Sequence, residues 1–133
     1  MERSRKFLLR PFHVRRKMKK ARINILGIDI DPLTMQETVN SVERYVLEKK
    51  ALHLMGVNAD KINQCHDDEE IRKIVNESGI INADGASVVL ASKFLGSPIP
   101  ERVAGIDLMQ ELLHLANEKG YSVYLLLLLK RST

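Results

Sequence analysis

A chain of 133 residues, 44% of them hydrophobic and with a net charge of +4, is long enough for one modest globular domain. Aromatic residues make up only 5% and tryptophan is absent, so a stacking platform for nucleic acid is not expected. The single cysteine, Cys65, excludes an internal disulfide and suits a reducing, cytoplasmic compartment. The four histidines show no ligand spacing, and we expect neither a metal nor another cofactor.

The positive charge is concentrated at the start of the chain. Residues 1–22 hold ten basic side chains against one acid, whereas residues 23–133 hold eleven basic and sixteen acidic ones, a net charge of −5. We expect a disordered basic leader at 1–22 and a domain at 23–133. The leader's apolar run at 7–9 is interrupted by Arg10, which excludes a secretion signal and a membrane span. Three roles stay open: a solvated tail, a tether to anionic lipid on the inner face of the cell membrane, or a nucleic-acid arm.

Short apolar runs and helical stripes alternate along the rest of the chain. The predicted strands are Ile23 to Ile30 (a strand or a hairpin arm), Ala51 to Val57, Ile80 to Ala83, and Tyr121 to Leu129. The predicted helices are Met35 to Leu47, Ile62 to Val75, Ser87 to Leu95, and Leu108 to Ala116. Thr34 and Glu37 match a capping box, Asp107 is the expected N-cap of the last helix, and Gly120 is placed to end it. The alternation predicts an α/β fold, a Rossmann-like layer with mostly parallel strands.

The last predicted strand is followed by neither a turn nor a helix. Tyr121 to Leu129 is a continuous apolar run typical of a central parallel strand covered on both faces, and only residues 130–133 follow it. We therefore expect a truncated or frame-disrupted chain. The uncovered leucines at 125–129 are then expected to promote self-association.

The segment from Ile80 to Leu108 carries the most information about function. Its sequence, IINADGASVVLASKFLGSPIPERVAGIDL, joins an Asp-Gly turn after a strand to an arginine in a loop bounded by proline and glycine. A DG element followed by PERVAG-D at this spacing resembles the WecG/TagA/CpsF glycosyltransferases. The resemblance extends to ILGIDID at 25–31, to Thr34 and Met35, and to VNAD at 57–60.

This resemblance implies an inverting enzyme without a metal. Its relatives transfer an N-acetylmannosamine-type sugar from a UDP-N-acetylhexosamine donor to a lipid-diphosphate-linked sugar acceptor, in the biosynthesis of surface polysaccharide or teichoic acid. The chain would supply the N-terminal half only, and we expect this fragment by itself to be inactive. Two alternatives from other classes stay open, a non-catalytic truncated remnant and a basic-tailed binding module.

Three residues are candidates for the site. Asp84 follows a predicted buried strand, at the edge where open α/β sheets bind ligands, and it matches the family's proposed catalytic base. The alternative is that Asp84 only caps the following helix. Arg102 can offer a fixed fork to phosphate or sugar, or pair at the surface with Glu101 or Asp107.

Asn58 is the third candidate, at the end of the second predicted strand. It can hydrogen-bond a sugar hydroxyl, or it can be a turn residue that bonds to its own backbone. Gly56, two residues earlier, stands where many family members have a threonine.

Overall fold

A computed structural model describes residues 20–129, which form a mixed α/β fold with five helices in that part of the chain. The strands are β1 (Ile23–Ile25), β2 (Ile28–Ile30), β3 (Leu54–Val57) and β4 (Ile80–Ala83). The helices are α1 (Met35–Leu47), α2 (Ala59–Asp67), α3 (Glu69–Asn76), α4 (Ala86–Phe94) and α5 (Gly105–Lys119).

The first strand region is a hairpin. β1 and β2 pair antiparallel, with Ile25 opposite Ile28. The two residues between them, Leu26 and Gly27, both have positive φ, of 51° and 93°. Such a turn matches the right-handed twist of the strands that it joins. Asn24 accepts a hydrogen bond from the Gly27 N–H through its side-chain oxygen, at 3.1 Å, and so holds the turn.

β3 and β4 pair in parallel, and the hairpin joins them through Asp31. The Asp31 N–H donates to the carbonyl of Ile81 at 2.8 Å, while one oxygen of the Asp31 carboxylate accepts from the Ile81 N–H at 2.8 Å. The Asp31 side chain is buried and pairs with Arg22 at 3.1 Å. Arg22 also donates to the carbonyls of Asn76, Ser78 and Gly79, so this cluster fastens the hairpin to the start of β4.

The strands are covered on both faces. Ile81 and Ala83 belong to a core that also holds Val57 and Cys65 and that lies against α2, α3 and α4. Side chains alternate along a strand, so Asn82 points the other way, where it meets α1. All four residues of β4 are buried.

Several predicted elements are confirmed. Thr34 and Glu37 form the capping box at the start of α1, with both reciprocal hydrogen bonds present. The predicted strand Ile80 to Ala83 matches β4. Gly120 follows α5 in the left-handed conformation, with φ of 74°, as expected for a residue that ends a helix.

Two predicted helix boundaries are wrong. The helix expected from Ile62 to Val75 is divided into α2 and α3, because the Asp68 side chain caps a new helix by accepting from the N–H groups of Glu70 and Ile71. The expected cap Asp107 lies inside the first turn of α5, which begins at Gly105. An acid there still favours the helix, because its charge opposes the positive end of the helix dipole.

The strand expected from Tyr121 to Leu129 is also wrong. The segment has no regular structure, and its leucines at 125–129 are 68–93% exposed. An apolar run forms a strand only when a neighbouring strand supplies backbone hydrogen bonds and other elements pack on both of its faces. In the described residues, no strand pairs with this segment. Within residues 20–129 no helix has both the length and the apolar character needed to cross a membrane.

Candidate functional site

Asp84 lies where β3 and β4 end together. Its backbone N–H donates to the carbonyl of Val57, the last residue of β3, at 2.9 Å. The Asp84 carboxylate reaches the start of α5, where Oδ1 accepts a hydrogen bond from the Gly105 N–H at 3.3 Å. The positive end of the α5 dipole favours a carboxylate there. The side chain is 34% exposed, so a ligand can reach it.

The alternative role for Asp84, capping the helix that follows it, is wrong. α4 begins at Ala86 after Gly85, and no side chain caps it. The carboxylate instead contacts a helix that begins 21 residues later. The carboxylate therefore lies at the edge of the sheet, where β4 ends, and does not bond to the turn that follows β4.

Arg102 contacts Asp84 twice. Its Nε donates to the backbone carbonyl of Asp84, and its Nη2 lies 3.9 Å from Asp84 Oδ1. The loop is fixed by the next residue, Val103, whose N–H donates to the carbonyl of Ala83 at 2.9 Å. The expected alternative, a pair with Glu101 or Asp107, is wrong. The guanidinium stays accessible to an anion because the Arg102 side chain is 55% exposed.

Asn58 is the N-cap of α2. Its side-chain oxygen accepts from the Lys61 N–H at 2.9 Å, which confirms the turn role weighed from the sequence. A methyl group added at Gly85 would come within 3.3 Å of Asn58, so the loops after β3 and β4 touch. Asn58 therefore lies beside Asp84, and its amide nitrogen is the atom that the cap does not use.

The two oxygens of the Asp84 carboxylate have different surroundings. Oδ1 faces Gly105 and Arg102, whereas Oδ2 faces Gly56 across the sheet edge. A side-chain Cβ built at Gly56 would lie 3.2 Å from Oδ2, and one built at Gly105 would lie 3.7 Å from it. Both positions are glycine, so neither residue presses a side chain against Oδ2. In the sequence, Gly56 is visible only as a departure from the family, and nothing there connects it with Asp84.

A cavity of about 350 Å³ opens next to this carboxylate, between β3 and α5. Its lining is mostly apolar and includes Gly56, Gly105, Leu108 and Leu112. Asn82 also lines it, and sequence analysis missed this residue. The available signal was an amide inside the apolar run Ile80 to Ala83, because a polar side chain in a buried strand requires a partner.

The described residues hold no cluster of three or more His, Cys, Asp or Glu side chains that could bind a metal ion. The groups that the site does present are a carboxylate, a guanidinium and an amide at the carboxyl ends of two parallel strands. Such an arrangement is typical of ligand-binding α/β domains. It suits a ligand with phosphate and hydroxyl groups.

The Glycosyl transferase WecG/TagA/CpsF family matches residues 23–127, and the chain belongs to this family. Curated relatives in Staphylococcus aureus strains NCTC 8325, COL and MRSA252 are each named N-acetylglucosaminyldiphosphoundecaprenol N-acetyl-beta-D-mannosaminyltransferase. Each is 30% identical over 115 residues, covering 85% of this chain. The chain spans 45% of the length of these relatives.

Proposed function

We propose that the chain supplies the catalytic base and part of the substrate site of an inverting glycosyltransferase. The donor is a UDP-N-acetylhexosamine and the acceptor is a sugar on a lipid diphosphate. The observation that carries the proposal is the Asp84 carboxylate at the joint end of β3 and β4, with Oδ1 held by a backbone N–H and Oδ2 beside Gly56. The names of the Staphylococcus aureus relatives supply the classes of sugar and lipid.

Asp84 acts as the general base. The acceptor hydroxyl attacks the anomeric carbon of the donor sugar and passes its proton to Oδ2, while the bond from that carbon to the diphosphate breaks. UDP leaves with the electron pair of that bond. The Gly105 N–H holds the carboxylate in position, so little reorganisation is needed when the proton moves.

Arg102 binds the diphosphate. It is exposed, and its backbone is anchored to β4 through Val103, so its guanidinium offers a forked set of donors at a fixed place. Its Nη2 also lies 3.9 Å from the Asp84 carboxylate, so the cation and the proposed base face the same ligand. Asn58 contributes its amide nitrogen to a sugar hydroxyl from the neighbouring strand end.

A lipid-linked acceptor supports a reaction at the inner face of the cell membrane. The basic leader, residues 1–22, is a suitable tether because each Lys or Arg near an anionic surface contributes on the order of 1 kcal/mol. The leader lies outside the described residues apart from its last three positions. The exposed leucines at 125–129 form a second surface, which favours association between copies of the chain.

A chimera tests the proposed activity directly. Residues 23–127 of this chain replace the matching segment of the Staphylococcus aureus relative, and UDP release is measured with a lipid-diphosphate N-acetylglucosamine acceptor. Acceptor-dependent release that requires Asp84 is the expected result. A chimera that unfolds cooperatively, binds donor and shows no turnover, beside an active parent enzyme, would favour the non-catalytic alternative.

A further inference from the structure

We propose that Glu101 is a positioning residue, which holds the loop at 95–104 so that the Arg102 guanidinium stays beside Asp84 and free for an anionic group of the ligand. The inference rests on the proposed function, because Arg102 is the residue that binds the diphosphate there. Glu101 acts through Arg102 and not on the ligand itself. Three observations carry it: the bond from Glu101 to α1, the attachment of α1 to the sheet, and the exposure of the loop around Arg102.

The Glu101 carboxylate lies at the start of α1. Its Oε1 accepts a hydrogen bond from the backbone N–H of Met35, the first residue of that helix. The capping box satisfies the N–H groups of Thr34 and Glu37, and the Met35 N–H is left to Glu101. N–H groups in the first turn have no acceptor within the helix, and the positive end of the helix dipole favours a carboxylate there. The bond is therefore favoured by both hydrogen bonding and charge.

α1 is itself fastened to the sheet. The Thr38 hydroxyl oxygen accepts from Nδ2 of Asn82 on β4 at 3.1 Å. These two side chains are 0% and 2% exposed, so the bond between the helix and the strand is buried. Asp84 directly follows β4. Through Glu101, the loop is thus tied to a helix that has a fixed place relative to the Asp84 carboxylate.

The loop is buried at two points and exposed between them. Ile99 and Val103 are 2% and 1% exposed, and the backbone N–H of each donates to an acceptor at 2.9 Å. The three residues between them are exposed. In that exposed stretch, the side-chain hydrogen bonds run from Arg102 to the Asp84 carbonyl and from α1 to Glu101. Without the bond to Glu101, Arg102 alone would have to hold the stretch in place.

The same bond keeps two opposite charges apart. Glu101 and Arg102 are neighbours in the sequence, but the Glu101 carboxylate is directed to α1 and the guanidinium to Asp84. A carboxylate paired closely with the guanidinium would compete with a phosphate for its donors. Because Glu101 is bonded elsewhere, the Arg102 side chain stays 55% exposed.

The first measurement is the affinity of the full 133-residue chain for UDP-N-acetylglucosamine, by calorimetry. Glu101→Ala should raise the Kd by about twofold to tenfold, because the ligand must then order a side chain that the free protein no longer holds. Glu101→Gln keeps a carbonyl oxygen for the Met35 N–H but loses the charge, so it should recover part of this loss. Glu111→Ala, at an exposed acid on α5, is the matched control.

Two further readouts separate positioning from a general effect on the fold. In a chain that already carries Arg102→Ala, Glu101→Ala should change the Kd by less than about twofold, because no guanidinium is left to position. The backbone N–H of Val103 should exchange with solvent faster in Glu101→Ala. The N–H of Asp84, bonded to the Val57 carbonyl at 2.9 Å, should keep its exchange rate. A general loss of stability would raise both rates.

The outcomes distinguish this inference from the proposed function. Equal losses of affinity from Glu101→Ala with and without Arg102 would show that Glu101 does not act through the guanidinium, and would overturn the inference. An unchanged Kd with unchanged Val103 exchange would also overturn it, while a loss of affinity in Arg102→Ala would leave the proposed function standing. If Arg102→Ala does not weaken binding, or the unaltered chain binds no sugar nucleotide, the proposed donor site is wrong. Val103 exchange then decides by itself whether Glu101 holds the loop.

Discussion

The Oδ1 oxygen of Asp84 accepts a hydrogen bond from the Gly105 N–H, 3.3 Å away, and this bond joins the end of β4 to the start of α5. Gly105 is the last residue of the PERVAG motif and Asp84 the first of the DG motif. Two elements that are 21 residues apart in the sequence therefore form one site. The bond also distinguishes the two carboxylate oxygens, because only Oδ1 accepts from Gly105.

The first prediction is that Asp84→Asn nearly abolishes transfer in the chimera with the Staphylococcus aureus relative. An amide keeps the shape and can still accept from Gly105, but it cannot take the acceptor's proton. The expected loss in kcat is about 10²–10⁴-fold, with donor affinity almost unchanged. Asp107→Asn, at an exposed acid in the first turn of α5, is the matched control. Near-normal turnover by the Asp84 variant would remove this residue from the base role.

The second prediction is that Arg102→Ala weakens donor binding. Loss of charge-assisted hydrogen bonds to diphosphate, each worth about 1.5–3 kcal/mol, should raise the Kd for the sugar nucleotide by at least about tenfold. Arg102→Lys should recover only part of this, because an ammonium group lacks the planar fork. Isothermal titration calorimetry measures the affinities, with Lys73→Ala as a control for lost charge. Equal affinities for Arg102→Ala and the unaltered chain would contradict the assignment.

The sequence predicts where Asp84 lies, because turn residues and an apolar run locate the end of a strand. Arg102 was proposed from its loop between proline and glycine and from the resemblance of that loop to the family, and the structure places it against Asp84. The roles of both residues stay predictions. The partner of Asn82 could not be predicted, because its amide nitrogen donates to the hydroxyl of Thr38 on α1, 44 residues earlier in the chain. The region from Tyr121 to Leu129 was predicted as a strand because hydrophobicity is local, whereas ladder hydrogen bonds require a partner elsewhere in the chain.

The third prediction concerns stability. Arg22→Met leaves the buried Asp31 carboxylate without its cation and removes donors from three backbone carbonyls. Breaking such a pair from one side should lower the free energy of unfolding by about 3–5 kcal/mol. Lys20→Met breaks the exposed pair with Glu37 and should cost less than about 1 kcal/mol. Urea unfolding of both variants checks the difference, and similar costs would show that Asp31 is satisfied without Arg22.

The fourth prediction is a pH dependence at the start of α1. The hydrogen bond from Lys20, followed by that from the Thr34 backbone, lowers the pKa of Glu37 below its ordinary value of 4.5. A carboxyl whose pKa is lower in the folded state stabilises the fold above 4.5, and this contribution is lost as the pH falls through the folded pKa. Glu37→Gln keeps the capping geometry without the charge. It should be less stable than the unaltered chain near neutral pH and equally stable in acid, whereas a constant difference in unfolding free energy would rule out the charge as the cause.

The last prediction is that the chain self-associates through the leucines at 125–129. Leu126 and Leu128 are 88% and 93% exposed, and their neighbours in the segment are at least 68% exposed. Burying apolar surface is worth roughly 25 cal/mol per Å², so several adjacent leucines create a strong tendency to associate. At micromolar concentration the chain should elute as an oligomer, and the double substitution Leu126→Lys with Leu128→Lys should shift it towards monomer without altering the core.

Phe94→Lys, at an 86% exposed residue on α4, tests whether any exposed apolar group has the same effect. Light scattering after size exclusion gives the mass of each variant. A monodisperse monomer for the unaltered chain would show that this segment does not drive association.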